Sequence, residues 1–411
     1  MLNLIWTGFF IAGFISAIVQ SFYLGNSGIW NEITNHLFEA ATNAFQLSLN
    51  LTGMLCLWLG LLKIAEKSGL TEIFAKALRP LFRIIMPEIP SNHPAIGSIV
   101  MNMAANMLGL DNAATPMGLK AMEQMQEINP HKDQASPAQI MFIVINASAI
   151  TILPVSILMY RHLQGATNPA AVFIPILLAT TCSTVAGFLA VAFTQKLNIF
   201  NRTILLYFIG ILSIIGIISF YFCSLDNSQR IAYSETFGNA LILSFIAVFL
   251  IFGLTKRINL YETFIEGAKE GFHIAVQIIP YLVAMLTAIA VIRYSGVLDG
   301  IVMLFTKLFA LIDINTDFTP ALSTALMKPL SGNGARAMMI ETMQTYGADS
   351  FPAFVSATIQ GSTETTFYVI ALYFGVVKIS KTGAALPCAL FADLFGIIAA
   401  IIFSYLFYAG A

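Results

Sequence analysis

The chain is written twice, and both copies interrupt membrane-grade hydrophobic sequence with polar, glycine-rich breaks. Phe38 to Leu70 aligns without a gap against Ile265 to Val297: Glu39, Ala41, Phe45, Leu55, Leu59, Ser68 and Gly69 fall on Glu266, Ala268, Phe272, Leu282, Leu286, Ser295 and Gly296. Apolar stretches match by chance at several positions, so the order of the segments beyond them carries more weight. Each half continues with a Pro-led segment (His93-Pro94-Ala95; Thr319-Pro320-Ala321) and then a polar break (Asn102 to Asn112; Lys328 to Asn333). Each closes with a Ser/Thr-rich stretch that reads as a helix start, INASAIT (Ile145 to Thr151) and IQGSTET (Ile359 to Thr365). Duplicated halves with interrupted helices near mid-membrane are the usual construction of secondary transporters.

The solvent of such a chain is lipid. Of its 411 residues 58% are hydrophobic and only 10% charged, with a mean hydropathy of +0.81, values of the membrane class. Runs near Leu4 to Tyr23, Phe45 to Ile64, Gln139 to Leu163, Pro169 to Phe193, Ile204 to Cys223, Ala240 to Gly253, Ile274 to Ile292, Pro352 to Val377 and Ala385 to Tyr408 supply candidate spans of roughly 20 residues. Ala240 to Gly253 is short and must borrow flanking residues, while Ile73 to Met86 and Val297 to Ile314 read as tilted or surface-lying helices. The runs are continuous rather than alternating, which excludes a β-barrel reading. The expected fold is all-α: a polytopic integral membrane protein of two homologous repeats with re-entrant or broken helices. The repeats are expected over 1–200 and 237–411, with 201–236 a linking transmembrane helix and loop.

A net charge of −1 without a basic arm argues against a nucleic-acid partner. Cys56, Cys182, Cys223 and Cys388 stand singly in apolar runs, with neither metal-ligand spacing nor a disulfide framework. The first apolar run lacks a basic start and a small-residue cleavage pattern, so it reads as a retained helix. Lys196 with Arg202, and Lys256 with Arg257, flank two spans; the loop between those spans carries Asp226, Arg230 and Glu235. Positive-inside bias places the basic ends in the cytoplasm and that loop outside. If each half crosses an odd number of times, the extra helix at Ile204 to Cys223 makes the repeats parallel.

The candidate site rests on the breaks. Asn102, Asn106, Asp111 and Asn112 surround Gly109; Lys328, Ser331, Asn333 and Arg336 surround Pro329, Gly332 and Gly334. Pro and clustered Gly free backbone groups that protein, water or ligand must satisfy in lipid. One reading is a pair of re-entrant hairpins whose polar groups satisfy one another; the sharper one is a substrate or ion site, since both halves repeat the device. Gln360, Ser362, Thr363, Glu364 and Thr365, with Asn146, Ser148 and Thr151 in the matching places, complete the expected wall, where a helix N-terminus offers free N–H groups and partial positive charge. Ile150 replaces Glu364 in the first half, so the site is expected to be asymmetric. Glu364 either faces that site or pairs with Lys328 or Arg336. Glu39 and Glu266 lie in charged, amphipathic stretches that read as solvated surface helices.

At these residues the chain takes on a family likeness. The first half resembles the spore maturation protein A family through LWLGLLKIAEKSGL, HPAIGSIVMNMAANMLGLDNAATPMGLKAMEQM and INASAITILP. The second is similar to the spore maturation protein B family through LYETFIEGAKEGF, IIPYLVAML, KPLSGNGA, GADSF and QGSTETTFYVIALYFG. The resemblance implies a natural fusion within the wider group carrying a gate, or nucleoside-recognition, domain, shared with concentrative nucleoside transporters and the membrane part of ferrous iron transport protein B. GSTE (Gly361 to Glu364) is similar to the short polar hairpin motif of the nucleoside carriers, whereas the iron transporter's membrane cysteines find no matching pattern. The expectation is a transporter or permease of the bacterial inner membrane for a small-molecule solute. It needs no cofactor, is coupled to sodium or protons through Glu364 or Asp111, and is compatible with a homo-oligomer. The alternatives are a non-transporting scaffold in envelope or spore maturation, and an intramembrane enzyme with Ser331 or Ser362 as nucleophile; no histidine lies near either serine in sequence.

Overall fold

The computed structural model describes residues 2–90, 92–107, 111–197, 199, 201–225, 227–311 and 313–408. The described residues are helical, apart from short connections. The first half comprises α1 (Leu2–Tyr23), the long α2 (Ile29–Lys67), α3 (Leu70–Ile85), α4 (Pro94–Met107), α5 (Asp111–Ile128), α6 (Pro137–Ala147), α7 (Val155–Leu163) and α8 (Phe173–Thr194). A single helix, α9 (Arg202–Cys223), leads to the second half. That half comprises α10 (Asn227–Thr255), the long α11 (Leu260–Tyr294), α12 (Val297–Ala310), α13 (Leu322–Met327), α14 (Gly332–Tyr346), α15 (Phe351–Ser362), α16 (Thr366–Val376) and α17 (Ala385–Phe407). The helices repeat in kind and order, α1 to α8 against α10 to α17. Five of the described helical stretches are long and apolar enough to cross a bilayer.

Local chemistry repeats with them. The Ser-Gly pair found in both copies turns the corner after each long helix: Gly69 (φ +77°) and Gly296 (φ +73°) take a left-handed conformation that glycine adopts without a Cβ penalty. Ser136 and Ser350 cap α6 and α15, accepting from Gln139 N and Ala353 N, each with a proline in the first turn, the sequence chemistry of a helix start. α10 begins at Asn227, so Arg230 and Glu235 lie in a helix rather than in the loop expected there, and the short apolar run gains its missing length on that side.

The two long helices pack along their whole length in opposite directions. Lys63 reaches Glu270 at 3.1 Å and Lys67 reaches Glu266 at 2.5 Å at one end, while His36 stacks on Tyr294 at the other. Glycines set the close approach: a Cβ on Gly271 would sit 2.6 Å from the Leu55 carbonyl oxygen, and one on Gly60 would meet the Phe264 ring. The charged stretches around Glu39 and Glu266 therefore belong to the ends of these long helices and are not separate surface helices. α8 and α17 are likewise antiparallel, with Gly187 against Ala392 and Gly396 against Ser183.

Equivalent helices running in opposite directions make the repeats inverted, not parallel as the crossing count suggested. The cause is the pair of hairpins. α4–α5 and α13–α14 turn back inside the bundle, so each half crosses an even number of times and α9 reverses the second copy. The halves are also exchanged at their first helices. α1 lies on α11, with Trp6 Nε1 donating to Ala284 O (2.9 Å) and Ser16 Oγ to Ser295 O (2.7 Å), and α10 lies on α2, Gly253 facing Ile64.

Candidate functional site

Two apolar runs that read as single spans are each broken in the middle. α6 ends at Ala147 and α7 starts only after Pro154, which cannot donate to a preceding turn; α15 ends at Ser362, Thr363 is extended, and α16 starts at Thr366. The two broken helices run antiparallel. The start of α6 meets the end of α16 through Ala135 N to Lys381 O (2.9 Å) and the Asp133–Lys381 ion pair (2.8 Å). The start of α15 meets the end of α7 through Arg161 Nη1 to Ala348 O (3.2 Å) and Thr167 N to Asp349 Oδ2 (2.9 Å). Their breaks meet in the middle, where Glu364 N donates to Ala147 O at 2.8 Å. The Ser/Thr-rich segments therefore close one half-helix and open the gap before the next, rather than heading a long helix.

Each hairpin tip docks on the break of its own half. Ile152 N donates to Met107 O (2.9 Å), and Phe367 N to Pro329 O (3.1 Å). The residues freed from helical pairing thus find partners across the breaks, as the hydrocarbon setting requires. Pro329 to Ser331 form the second tip, and Ser331 caps α14 by accepting from Gly334 N at 3.0 Å. Gly109 lies outside the described residues, as do the side chains of Asp111 and Asn112.

A cavity of about 190 Å³ opens beside the crossing. Asn106, Thr151, Lys328, Arg336, Gln360, Thr363, Glu364 and Thr365 line its polar side; Leu55, Trp58, Leu59 and Leu62 of α2 form an apolar wall. The Glu364 side chain is exposed to that space, while Thr363, Thr365 and Lys328 are buried beneath it. Arg336 turns to Asn333 Oδ1 (3.3 Å) and lies over the Tyr160 ring (5.5 Å) rather than pairing with Glu364. The cavity holds a carboxylate, two cations, amides and hydroxyls opposite an indole and leucines. That combination suits a small, partly flat, polar solute.

Other expected residues hydrogen-bond within the protein. Asn102 is fully buried and donates to Ala114 O (2.8 Å) and to Tyr373 Oη (3.4 Å) of the other half. Asn146 is held by Phe142 O (3.0 Å) and accepts from Asn106 Nδ2 (2.9 Å). Ser148 and Ser362 return their hydroxyls to Val144 O and Ile359 O, both at 2.8 Å. Ser331 accepts from Gly334 N as the cap of α14. Sequence reasoning missed Asp393, buried on α17 and accepting from Thr366 Oγ1 at 2.7 Å. A lone acid in a strongly apolar 23-residue helix is a functional signal in its own right.

Known proteins match on both halves. The family described as Gate, nucleoside recognition, matches residues 48–163 and 275–380, more than half of the chain and most of both broken-helix units. Spore maturation protein A of Bacillus subtilis (strain 168) is 38% identical over 183 residues, 44% of this chain and 90% of that protein. Spore maturation protein B of the same organism is 45% identical over 172 residues, 42% of this chain and 95% of that protein. No solved structure matches the chain. With one inverted repeat corresponding to each of these proteins, the chain is a membrane protein that belongs to the Gate (nucleoside recognition) family, with two separate relatives fused end to end.

Proposed function

We propose that the chain is a secondary transporter, not an enzyme, that carries a small polar solute through the crossing of its two broken helices. The observation that carries this is the meeting of the breaks: Glu364 N on Ala147 O, a hairpin tip docked on each side, and a cavity with polar and apolar walls beside it. Inverted repeats supply the movement. Two copies of one unit in opposite orientation can exchange conformations, which closes the site to one end and opens it to the other. The hairpins already differ: α4–α5 packs on α3 and on α16 of the other half, whereas α13–α14 packs mainly on α11 and α15. An exchange of these arrangements moves the access route.

The cavity volume is below the range of about 300–1,000 Å³ typical of drug-sized ligands, which limits the solute to a small metabolite. The family description makes nucleosides the first class to test. The end carrying Lys67, Lys76, Arg79, Arg83, Lys196, Arg202, Lys256, Arg257 and Lys381 faces the cytoplasm by positive-inside bias, in a bacterial inner membrane. The test is tracer exchange in proteoliposomes with uridine, adenosine and their bases as probes. Saturable exchange that Glu364→Gln abolishes supports the reading; exchange no faster than in protein-free vesicles, across the panel, counts against it.

A second reading is favoured by the fusion. Both matched relatives are named for spore maturation, and joining them in one chain implies that the halves act as one body. On that reading the chain supports envelope maturation as a membrane scaffold. A cavity variant that loses solute exchange but fully restores the maturation phenotype of a deletion strain selects it.

A further inference from the structure

We infer that Arg293 with Glu341 and Lys120 with Glu66 are the two ends of one charge latch, closed at the outer end in this structure and built to close in turn at the cytoplasmic end. The inference rests on the transport reading, for it names the residues that decide which face the crossing opens to.

The repeat places the same charges at both ends, but on opposite partners. The ungapped match of the long helices sets Glu66 of α2 on Arg293 of α11, and beyond the Ser-Gly corner it sets Glu72 on Asp299. From Asn112 on Asn333, α5 follows α14 without a gap. Ala114 falls on Ala335, Met117 on Met338 and Met122 on Met343, which puts Lys120 on Glu341. Each end therefore holds one cation and two acids. The cation stands on the long helix in the second half and on the hairpin in the first. Exchanging the signs within a pair preserves its attraction, which independent solvated charges have no reason to do.

Only the outer pair is made. Arg293 Nε ion-pairs with Glu341, and Arg293 Nη1 lies 3.0 Å from Asp299 Oδ1. The pair ties α14 to α11, where a Cβ on Gly334 would come within 3.0 Å of Met285. At the cytoplasmic end α5 packs on α16 instead. Lys120, about two turns from the end of α5, is exposed and makes no ion pair among the described residues. Glu66 turns to Lys63 on its own helix (3.3 Å), and Lys63 already has Glu270 of α11 at 3.1 Å. Leu282 and Leu286 are 1% and 6% exposed, whereas their counterparts Leu55 and Leu59 are half-buried and line the cavity at the crossing beside Trp58, the counterpart of Met285. The cavity thus lies along the strip of α2 whose counterpart on α11 packs against α14.

When α5 lies on α2 as α14 lies on α11, Lys120 meets Glu66 and Glu72, the strip is covered and the cytoplasmic route closes. Inverted repeats exchange such arrangements together, so Arg293 and Glu341 part in the same step. Charges stranded in hydrocarbon would oppose the parting. A polar cavity of about 580 Å³ at the outer face borders both residues, and water there takes up the separated charges. The two pairs also set the balance between the states, because weakening one end favours closure of the other.

The test is cross-linking of the full chain in membranes, with its native cysteines replaced by serine and Lys67→Cys with Glu123→Cys as the reporter pair. These positions correspond to Tyr294 and Gln344, which line one cavity beside the closed pair, and they leave Glu66, Glu72 and Lys120 intact. A short bis-maleimide should link the two cysteines within one chain. Glu341→Gln, or Arg293→Met where that variant does not fold, should speed linking by about five-fold or more, the low end of coupling between two sites. Lys120→Glu, at an exposed position, should slow linking by as much, and adding Glu66→Lys should restore it. If neither outer variant folds, this loss and restoration decide alone. No link between the two cysteines overturns the proposal, as does linking indifferent to these charges. Linking that follows the charges without solute exchange leaves the latch standing and removes the transport reading; solute exchange without the link does the reverse.

Discussion

Glu364 and Asn102 show how polar residues serve two ends in one membrane interior. Glu364 sits in the cavity with its backbone N–H holding Ala147, so its side chain is spare to the fold. We expect Glu364→Gln to express, insert and melt like the native chain while losing solute-induced stabilisation and exchange; a fully active Gln variant would remove the carboxylate from the mechanism. Asn102 is the opposite case. It ties α4 to α5 and to Tyr373 across the halves, and Asn102→Ala should cost about 1–3 kcal/mol by stranding those groups, measured by denaturation or a drop in melting temperature, with solute affinity in the surviving protein unchanged. Sequence marked both as site residues because an asparagine that binds a ligand and one that pins two helices look alike in an apolar run. Only the partners tell them apart, and those come from the surrounding fold: Asn106 Nδ2 for Asn146, Ala114 O for Asn102. Asp393 escaped because it sits outside the duplicated breaks, where the polar pattern is strongest.

Among the elements, the long helices and their glycine corners were legible because periodicity, length and a Ser-Gly turn are local properties. The breaks were legible as polar segments but not as gaps within a crossing. Gln139 to Leu163 is apolar enough to be one span, and only the docking of a hairpin tip makes an open backbone tolerable there. The caps that start the broken helices are open to test: Ser136→Ala and Ser350→Ala should each cost about 1 kcal/mol, seen as a lowered melting temperature with solute affinity retained. The glycine seam of α2 and α11 is less forgiving. Gly271→Val should cost about 1–3 kcal/mol or more, because its side chain meets the Leu55 carbonyl rather than a movable side chain; melting or expression level reports it.

For the whole molecule, inversion was the part that sequence could not supply. Crossing number decides orientation, and a hairpin that re-enters counts zero where a span counts one, a difference invisible in composition. The structure makes it testable. Single cysteines at Asp133 and Asp349, the matching ends of α6 and α15, should label from opposite faces of the membrane with an impermeant maleimide, Asp133 from the cytoplasm; labelling of both from one face would rule out the inverted repeat. Fusion follows from the same geometry, since α1 and α10 each pack on the long helix of the other half and two separate chains would have to exchange them. On the proposed transport reading, movement in either direction depends on binding at the crossing. Equilibrium binding of a nucleoside panel to the purified chain, wild type beside Glu364→Gln and Asn106→Ala, measures that binding without the complications of flux. We expect saturable binding of at least one member, weakened about ten-fold or more in both variants, with the melting temperature unchanged in Glu364→Gln. A nucleoside bound equally well by all three proteins would mean that the crossing is not where solute binds.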